Sequence, residues 1–249
     1  MKTQPSVLDT QLKHVSVRSF LDREVSDDML QQIIDGARRA PTSSNMQAYS
    51  IIVVRDENTR LRLSELTGHQ KHVAQAPVFL AFCADLNRLG VATALNNQVL
   101  QSSLETFVIS TVDAALVGMN AMTAAESLGL GGVMIGAVRN HPKEVGDLLA
   151  LPTGVYVVFG MAIGWPDTEQ FPTQKPRLPE NLVVHSERYD ASGFEAGIQE
   201  YDAQLSEYYG RKDKGQSGAS WSGPLARGLS KTLRPELLRT LEEMGFKIR

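Results

Sequence analysis

The stretch from about Asn96 to Leu128, NNQVLQSSLETFVISTVDAALVGMNAMTAAESL, constrains the fold more than any other part of the chain. It holds no proline, and its only charges are Glu105, Asp113 and Glu126. Leu104, Val108, Val112, Ala115, Met119 and Met122 recur at helical spacing. Val117, Ala121 and Ala125 fill much of the remaining circumference, and a helix that is apolar nearly all round is a buried one. Roughly 30 residues at ~1.5 Å each give about 45 Å, long for a helix in a small domain. Ala114, Ala115, Gly118, Ala121, Ala124 and Ala125 admit other helices closely. The stretch predicts a core spine, one that a second subunit can share. Asp113, Asn120 and Glu126 interrupt any lipid-compatible run of about 20 residues, which argues against a membrane span.

Composition narrows the class. The 249 residues are 42% hydrophobic and 21% charged, enough for one large globular domain or two small ones. A net charge of -3 gives no electrostatic footprint for nucleic acid. Gly210–Arg249 is locally basic, but Leu229, Leu233, Leu237 and Leu241 within it are spaced like the face of a docked helix. Neither nucleic acid nor membrane is an expected partner. The single cysteine, Cys83, forms no internal disulfide and suits a reducing, cytoplasmic setting. In VFLAFCAD it reads as a small buried hydrophobe. The start, MKTQPSVLDT, lacks the apolar core of a signal peptide.

Elsewhere the pattern alternates. Residues 6–13 read as a short helix and His14–Phe20 as an extended segment. Ser26 caps a helix with acids in its first turn that ends before Pro41. Ala40–Ser50 is a loop, Ile51–Val54 a strand, Asp56–Leu66 a helix closed by Gly68, and Val78–Cys83 a strand. Gly129–Asn140 leads into another strand, Pro142–Leu149 is a helix with Pro in its first turn, and Val155–Ile163 is a strand. From Asp167 on, prolines make an extended arm, followed by helical patterns at Glu195–Tyr209 and Pro224–Met244. Element order alone reads as α/β with four or five strands. Residues 1–249 read as a single domain, with 167–249 as an arm and C-terminal helices.

The familiar catalytic motifs are missing. There is no P-loop and no G-x-S-x-G elbow. Gly129, Gly131 and Gly132 follow a helix and precede a strand, the reverse of a dinucleotide fingerprint, and read as the turn ending the spine. The five histidines show no metal-ligand spacing, so no metal is expected. What remains is a scattered set of anion-friendly groups. His14, Ser16 and Arg18 share one parity of an extended segment, and Arg suits phosphate. Lys175 and Arg177 form a second basic pair. Thr42, Ser43, Ser44 and Asn45 offer hydrogen-bonding groups in a loop, and Gln70 and Lys71 an amide and a cation.

The order of these pieces resembles the nitroreductase superfamily, closest to its oxygen-insensitive NADPH nitroreductase and flavin reductase branch. The blocks are HVSVRSF, TSSNMQAYSIIVV, TGHQKHVAQAPVFLAFCADLNR, AAESLGLGGVMIGAVRN, FGMAIGWP, KPRLPENLVVH and YDAQLSEYY, and they cover essentially the whole chain. The resemblance implies an α+β three-layer sandwich, helices around a mixed central sheet, in a homodimer with FMN in a cleft at the subunit interface. It implies that His14, Ser16 and Arg18, with the backbone at Val15, hold the FMN phosphate and ribityl chain, and that Lys175 and Arg177 complete the clamp. Ser43 and Ser44, with Gln70, Lys71 and His72, would meet the polar edge of the flavin, Lys71 as the charge that stabilises its reduced form. Met134, Ile135, Gly136 and Ala137 would lie along the reactive face.

Two departures bear on this. Relatives carry a polar residue where this chain has Val15, which implies one phosphate contact fewer. In the loop where the branch places arginines for the NADPH 2′-phosphate, this chain has Ser217 and Gly218, with Arg211, Lys212 and Lys214 earlier as substitutes. The implied function is an FMN-dependent NAD(P)H oxidoreductase. It would work by two-electron ping-pong on small-molecule acceptors: nitroaromatics, quinones, chromate-like oxidants or free flavin. No catalytic side chain is then needed, because the flavin carries the chemistry. The alternative is a non-catalytic sensor of FMN or another phosphate ligand on the same fold.

Overall fold

The computed structural model describes residues 6–210 and 219–248. In chain order the elements are α1 (Val7–Leu12), α2 (Asp27–Ala37), β1 (Tyr49–Val54), α3 (Glu57–Leu66), α4 (Lys71–Gln75), β2 (Val78–Asp85), α5 (Asn87–Ala94), α6 (Leu104–Ser127), β3 (Gly131–Ile135), α7 (Pro142–Leu148), β4 (Val155–Gly164), α8 (Phe194–Gly210), α9 (Ser222–Leu229) and α10 (Leu237–Glu243). They form two compact units. One runs to Pro172 and resumes at Glu236; the other is Thr173–Pro235.

The first unit is built on one sheet, ordered β1-β2-β4-β3, and every adjacent pair is antiparallel. This corrects the α/β reading of element order. The alternation of helices and strands suggested α/β, but a helical link can also return the chain to an antiparallel neighbour. The sheet's mixed character is confined to one parallel bridge, Ser16 to Gly132. The class is α+β.

The two central strands are buried along nearly their whole length, as strands covered on both faces must be. Leu80, Phe82, Tyr156, Val158, Met161 and Ile163 face α2, α6 and α10. Phe79, Ala81, Cys83, Val157 and Ala162 face α3, α4 and α7. The register slips once, because Phe82 pairs with Phe159 and Cys83 with Val157. Val158 is therefore an extra residue, and from there the parity of β4 changes. Arg139 donates to the Val158 carbonyl, securing the bulge. Cys83 is fully buried, and burial pushes its thiol up to about 12.

The spine is shorter than expected. Helix α6 spans 24 residues, about 36 Å at ~1.5 Å per residue. Ser103 and Thr106 form a reciprocal capping box that starts it, and Asn97 in the polar NNQVLQSS run already has φ 56. At the other end Gly129, at φ +85, turns the chain as expected. The helix is also not buried all round. Ala114, Val117, Ala121, Met122 and Ala125 are buried, whereas Leu104, Val108, Val112, Leu116 and Met119 are exposed. Small residues set the inner spacing: a Cβ on Gly118 would lie 2.4 Å from Cζ of Phe159.

In the second unit, α8 buries Tyr201 and Leu205, and the Tyr201 hydroxyl donates to the Pro176 carbonyl at 2.9 Å. Asp202 accepts the backbone N–H groups of Trp221 and Ser222, at 2.7 and 2.9 Å, at the start of α9. The helix expected over Pro224–Met244 is two helices, interrupted where Arg234 at φ 46 precedes Pro235. Leu229 and Leu233 are exposed, so the four leucines do not make one face.

Candidate functional site

The segment after α1 runs extended beside β3. Val17 N–H donates to the Gly132 carbonyl at 2.9 Å, next to the Ser16–Gly132 bridge. Alternation then sorts its side chains. Val17 is buried against Gly131, where a Cβ would lie 2.5 Å from Val17 Cγ2, so only glycine permits this approach. Val15 shares that parity. With Val17, Asp9, Lys13 and Glu126 it lines a cleft of about 260 Å³. On the other parity, His14 and Ser16 are half-buried and Arg18 is exposed. The parallel register sets Arg18 level with Met134, the one exposed residue of β3.

His14 Nδ1 lies 2.5 Å from Oε1 of Glu126, in the last turn of α6. An acid there opposes the helix dipole, and the imidazole offsets that cost. The other oxygen of Glu126 is buried without a hydrogen-bond partner among the described residues. Arg18 makes one hydrogen bond among the described residues, a 3.5 Å contact to the Ser16 carbonyl. Its charge falls instead on His72. Burial, and secondarily the Arg18 guanidinium, hold His72 below the usual histidine range. Nε2 of His72 is buried and has no hydrogen-bond partner among the described residues.

His72 lies in the first turn of α4, whose far end is fixed by Arg60 donating to the Ala74 and Ala76 carbonyls. Gln70 is tied into the turn before it: Nε2 donates to the Thr67 carbonyl at 2.7 Å, and its own carbonyl accepts from Ser64 Oγ at 2.9 Å. Lys71 is exposed beside them.

Ser43 and Ser44 sit in a loop fastened to α6. Asp113 Oδ1 and Oδ2 accept the N–H groups of Ser43 and Ala48, both at 3.0 Å. After Met134, Ile135 is buried and Gly136–Asn140 form a 3-10 turn that includes Ala137. A Cβ on Gly136 would meet nothing closer than the Arg139 guanidinium at 3.4 Å. The chain's own packing does not demand glycine there; its bare backbone leaves room for a flat ligand.

Lys175 and Arg177 belong to the second unit. Both are exposed, with Arg177 Nη1 3.5 Å from the Lys175 carbonyl and Lys175 Nζ 5.5 Å from the Tyr209 ring centre. Arg211, Lys212 and Lys214, like Ser217 and Gly218, lie outside the described residues.

The first unit thus brings together the His14–Arg18 segment, the exposed end of β3 and the start of α4. An exposed guanidinium, an unpartnered buried imidazole nitrogen and an open glycine backbone suit a phosphorylated, flat, hydrogen-bonding molecule, and FMN is one. Sequence reasoning missed Asp113, Glu126 and Arg139 as parts of this surround. The signal was present for two of them, since Asp113 and Glu126 are acids inside an otherwise apolar helix, and a buried acid needs a partner.

Comparison with known proteins places the chain in a family. The nitroreductase family profile matches residues 12–165, and that of the nitroreductase family C-terminal domain matches residues 175–249. The chain is 42% identical over 245 residues to an oxygen-insensitive NADPH nitroreductase of Salmonella typhimurium, covering 95% of this chain and 96% of that one. It is 39% identical over 246 residues to an FMN reductase [NAD(P)H] of Bacillus subtilis, covering 97% and 98%. Among solved structures, the NADPH:FMN oxidoreductase of Vibrio harveyi complexed with NAD+ superposes with a TM-score of 0.88 at 36% identity, covering 98% and 99%. Two family profiles and near full-length similarity leave one conclusion: this chain belongs to the nitroreductase family.

Proposed function

We propose that this protein is an FMN-dependent NAD(P)H oxidoreductase that reduces small-molecule acceptors such as nitroaromatics, quinones, oxidants of the chromate kind or free flavin. The observation that carries the reading is exposed Arg18, level with Met134 in the parallel register, acting on half-buried His72, whose Nε2 has no hydrogen-bond partner among the described residues. When bound, FMN supplies the two-electron relay between nicotinamide and acceptor. The chain supplies binding and electrostatics. Arg18 would give charge-assisted donors to the phosphate, and Ser16 would add a hydroxyl. Glu126 holds the His14 ring in one orientation. His72, kept neutral by burial and by Arg18, offers a hydrogen bond without adding a second cation. Lys71, exposed at the start of α4, would supply a cation that stabilises the reduced cofactor. Relatives named as reductases favour this catalytic role over a sensor.

The active unit in this reading is a cytoplasmic homodimer formed on the outer row of α6. Leu104 is 55% exposed, Val112 49% and Met119 42%, an apolar stripe too regular for a solvated face. Residues 1–249 act in it as one cofactor-binding domain.

Purified protein should be yellow, with bands near ~370 and ~450 nm, and heat should release FMN. Anaerobic mixing with NADPH and with NADH should bleach those bands, and the two rates give the preferred donor. Protein that is colourless and stays inert with added FMN and either donor overturns the proposal.

A further inference from the structure

The loop from Thr42 to Ala48 is built in a conformation that its own residues do not favour. Ser44, Asn45 and Gln47 have φ of 46, 57 and 51 degrees, and none of them is glycine. Left-handed backbone at non-glycine residues is costly, and it persists only where the surroundings over-determine it. Those surroundings lie outside the loop. Asp113, 1% exposed in the middle of α6, spends one carboxylate oxygen on the Ser43 N–H and the other on the Ala48 N–H. The two donors bracket the three left-handed residues. Arg88 adds a second hold at the far end, donating to the Gln47 carbonyl at 2.8 Å and to the Tyr49 carbonyl. Asp85, which accepts from Ser50 Oγ at 2.5 Å, lies 3.4 Å from Arg88 and anchors it.

A buried carboxylate is expensive unless its oxygens are satisfied. Here the satisfying groups are two backbone amides five residues apart, not a cation. Such a bond pattern fixes the path of the loop rather than neutralising a charge. Ser43 and Ser44 remain exposed on its outer side.

We infer that Asp113 is a positioning residue: it presets the Ser43–Gln47 loop so that its outer polar groups are already placed to receive the edge of the flavin. This rests on the FMN reading above. A preset loop binds without the entropy cost of ordering, so loosening it weakens FMN retention while the phosphate contacts of Arg18 stay intact.

The test measures FMN dissociation constants for apoprotein, the visible spectrum of the bound flavin and amide exchange. Asp113→Asn turns an amide NH2 toward one of the two backbone donors. FMN affinity should fall at least tenfold, the visible bands should shift, and the Ser43 and Ala48 amides should exchange at least tenfold faster while β2 amides do not. Ser43→Ala and Ser43→Pro test the same bond without touching Asp113. Both remove the hydroxyl, but only proline removes the N–H that Asp113 accepts, and proline is tolerated at the first position of a helical turn. Ser43→Pro should bind FMN at least fivefold more weakly than Ser43→Ala. Equal affinities for the two serine variants, or Asp113→Asn affinity within twofold of wild type with an unshifted spectrum, overturn the role of Asp113. Wild-type apoprotein that fails to bind FMN instead overturns the cofactor reading.

Discussion

The inner and outer faces of α6 are made of similar apolar residues at the same helical spacing, yet they end in opposite environments. On the inner face Ala114, Val117, Ala121, Met122 and Ala125 are at most 1% exposed. On the outer face Leu104, Val108, Val112, Leu116 and Met119 stay open. Size separates them. The inner row is mostly Ala, Gly and Val, and only small residues let the helix close on Phe159 and on Gly36 of α2. The outer row carries Leu104, Leu116 and Met119, against Met122 as the one large residue of the inner row. Large side chains left in water on a regular stripe are suited to a second copy of the same surface, since a two-fold axis makes one patch serve both partners.

The sharpest way to break this contrast is to truncate one methionine on each side. Met122→Ala should cost about 2–5 kcal/mol of stability, read by urea unfolding, whereas Met119→Ala should stay within about 0.5 kcal/mol for the isolated chain. Equal losses would mean that the two faces do not differ in kind. A charge on the outer row comes next. Val112→Asp should weaken self-association by roughly a hundredfold, about 2.7 kcal/mol, seen by sedimentation or light scattering, and FMN should be lost with the dimer if the cofactor lies at the interface. Arg18→Ala then separates ligand from partner. It should weaken FMN by about 1.5–3 kcal/mol, the worth of a charge-assisted bond, and leave the dimer intact; Lys175→Ala tests the second cation in the same titration.

The smallest effect is in pH. His72 titrates below its usual range, through burial first and Arg18 second. The unfolded chain therefore binds more protons at this group than the folded one, and stability falls as pH drops from the ordinary histidine range through the folded value. His72→Gln should flatten that slope. NMR titration of Arg18→Ala should show the His72 midpoint moving back upward; an unmoved midpoint would show that Arg18 does not act on it.

Much of the fold was legible. Ser26 caps α2 as its position suggested, Gly68 at φ +83 ends α3, and Val155–Gly164 is a buried strand; Asp56, expected as the first residue of α3, is its cap. Local chemistry decides such points, so a local reading finds them. Helix α5 went unread, because residues 87–94 bury nothing fully and show no clear stripe. The bulge at Val158 was also invisible, since it exists only through pairing with β2. In the candidate site, the HVSVRSF parity could be read directly, and Val17 goes inward while Arg18 stays out. Its partners could not be, because Glu126 lies 112 residues from His14 and Asp113 lies 70 from Ser43.

By itself the sequence determined that a long apolar helix would organise the protein, and where most elements start and stop. Those follow from periodicity, capping and the residue types present, which are properties of the chain alone. Only the tertiary structure decided which stripe of α6 turns inward, that the strands run antiparallel, and that two acids of α6 hold the loop and the histidine of the candidate site. Each of those depends on which distant groups meet, and on whether a methionine or an alanine fits the gap between helix and sheet.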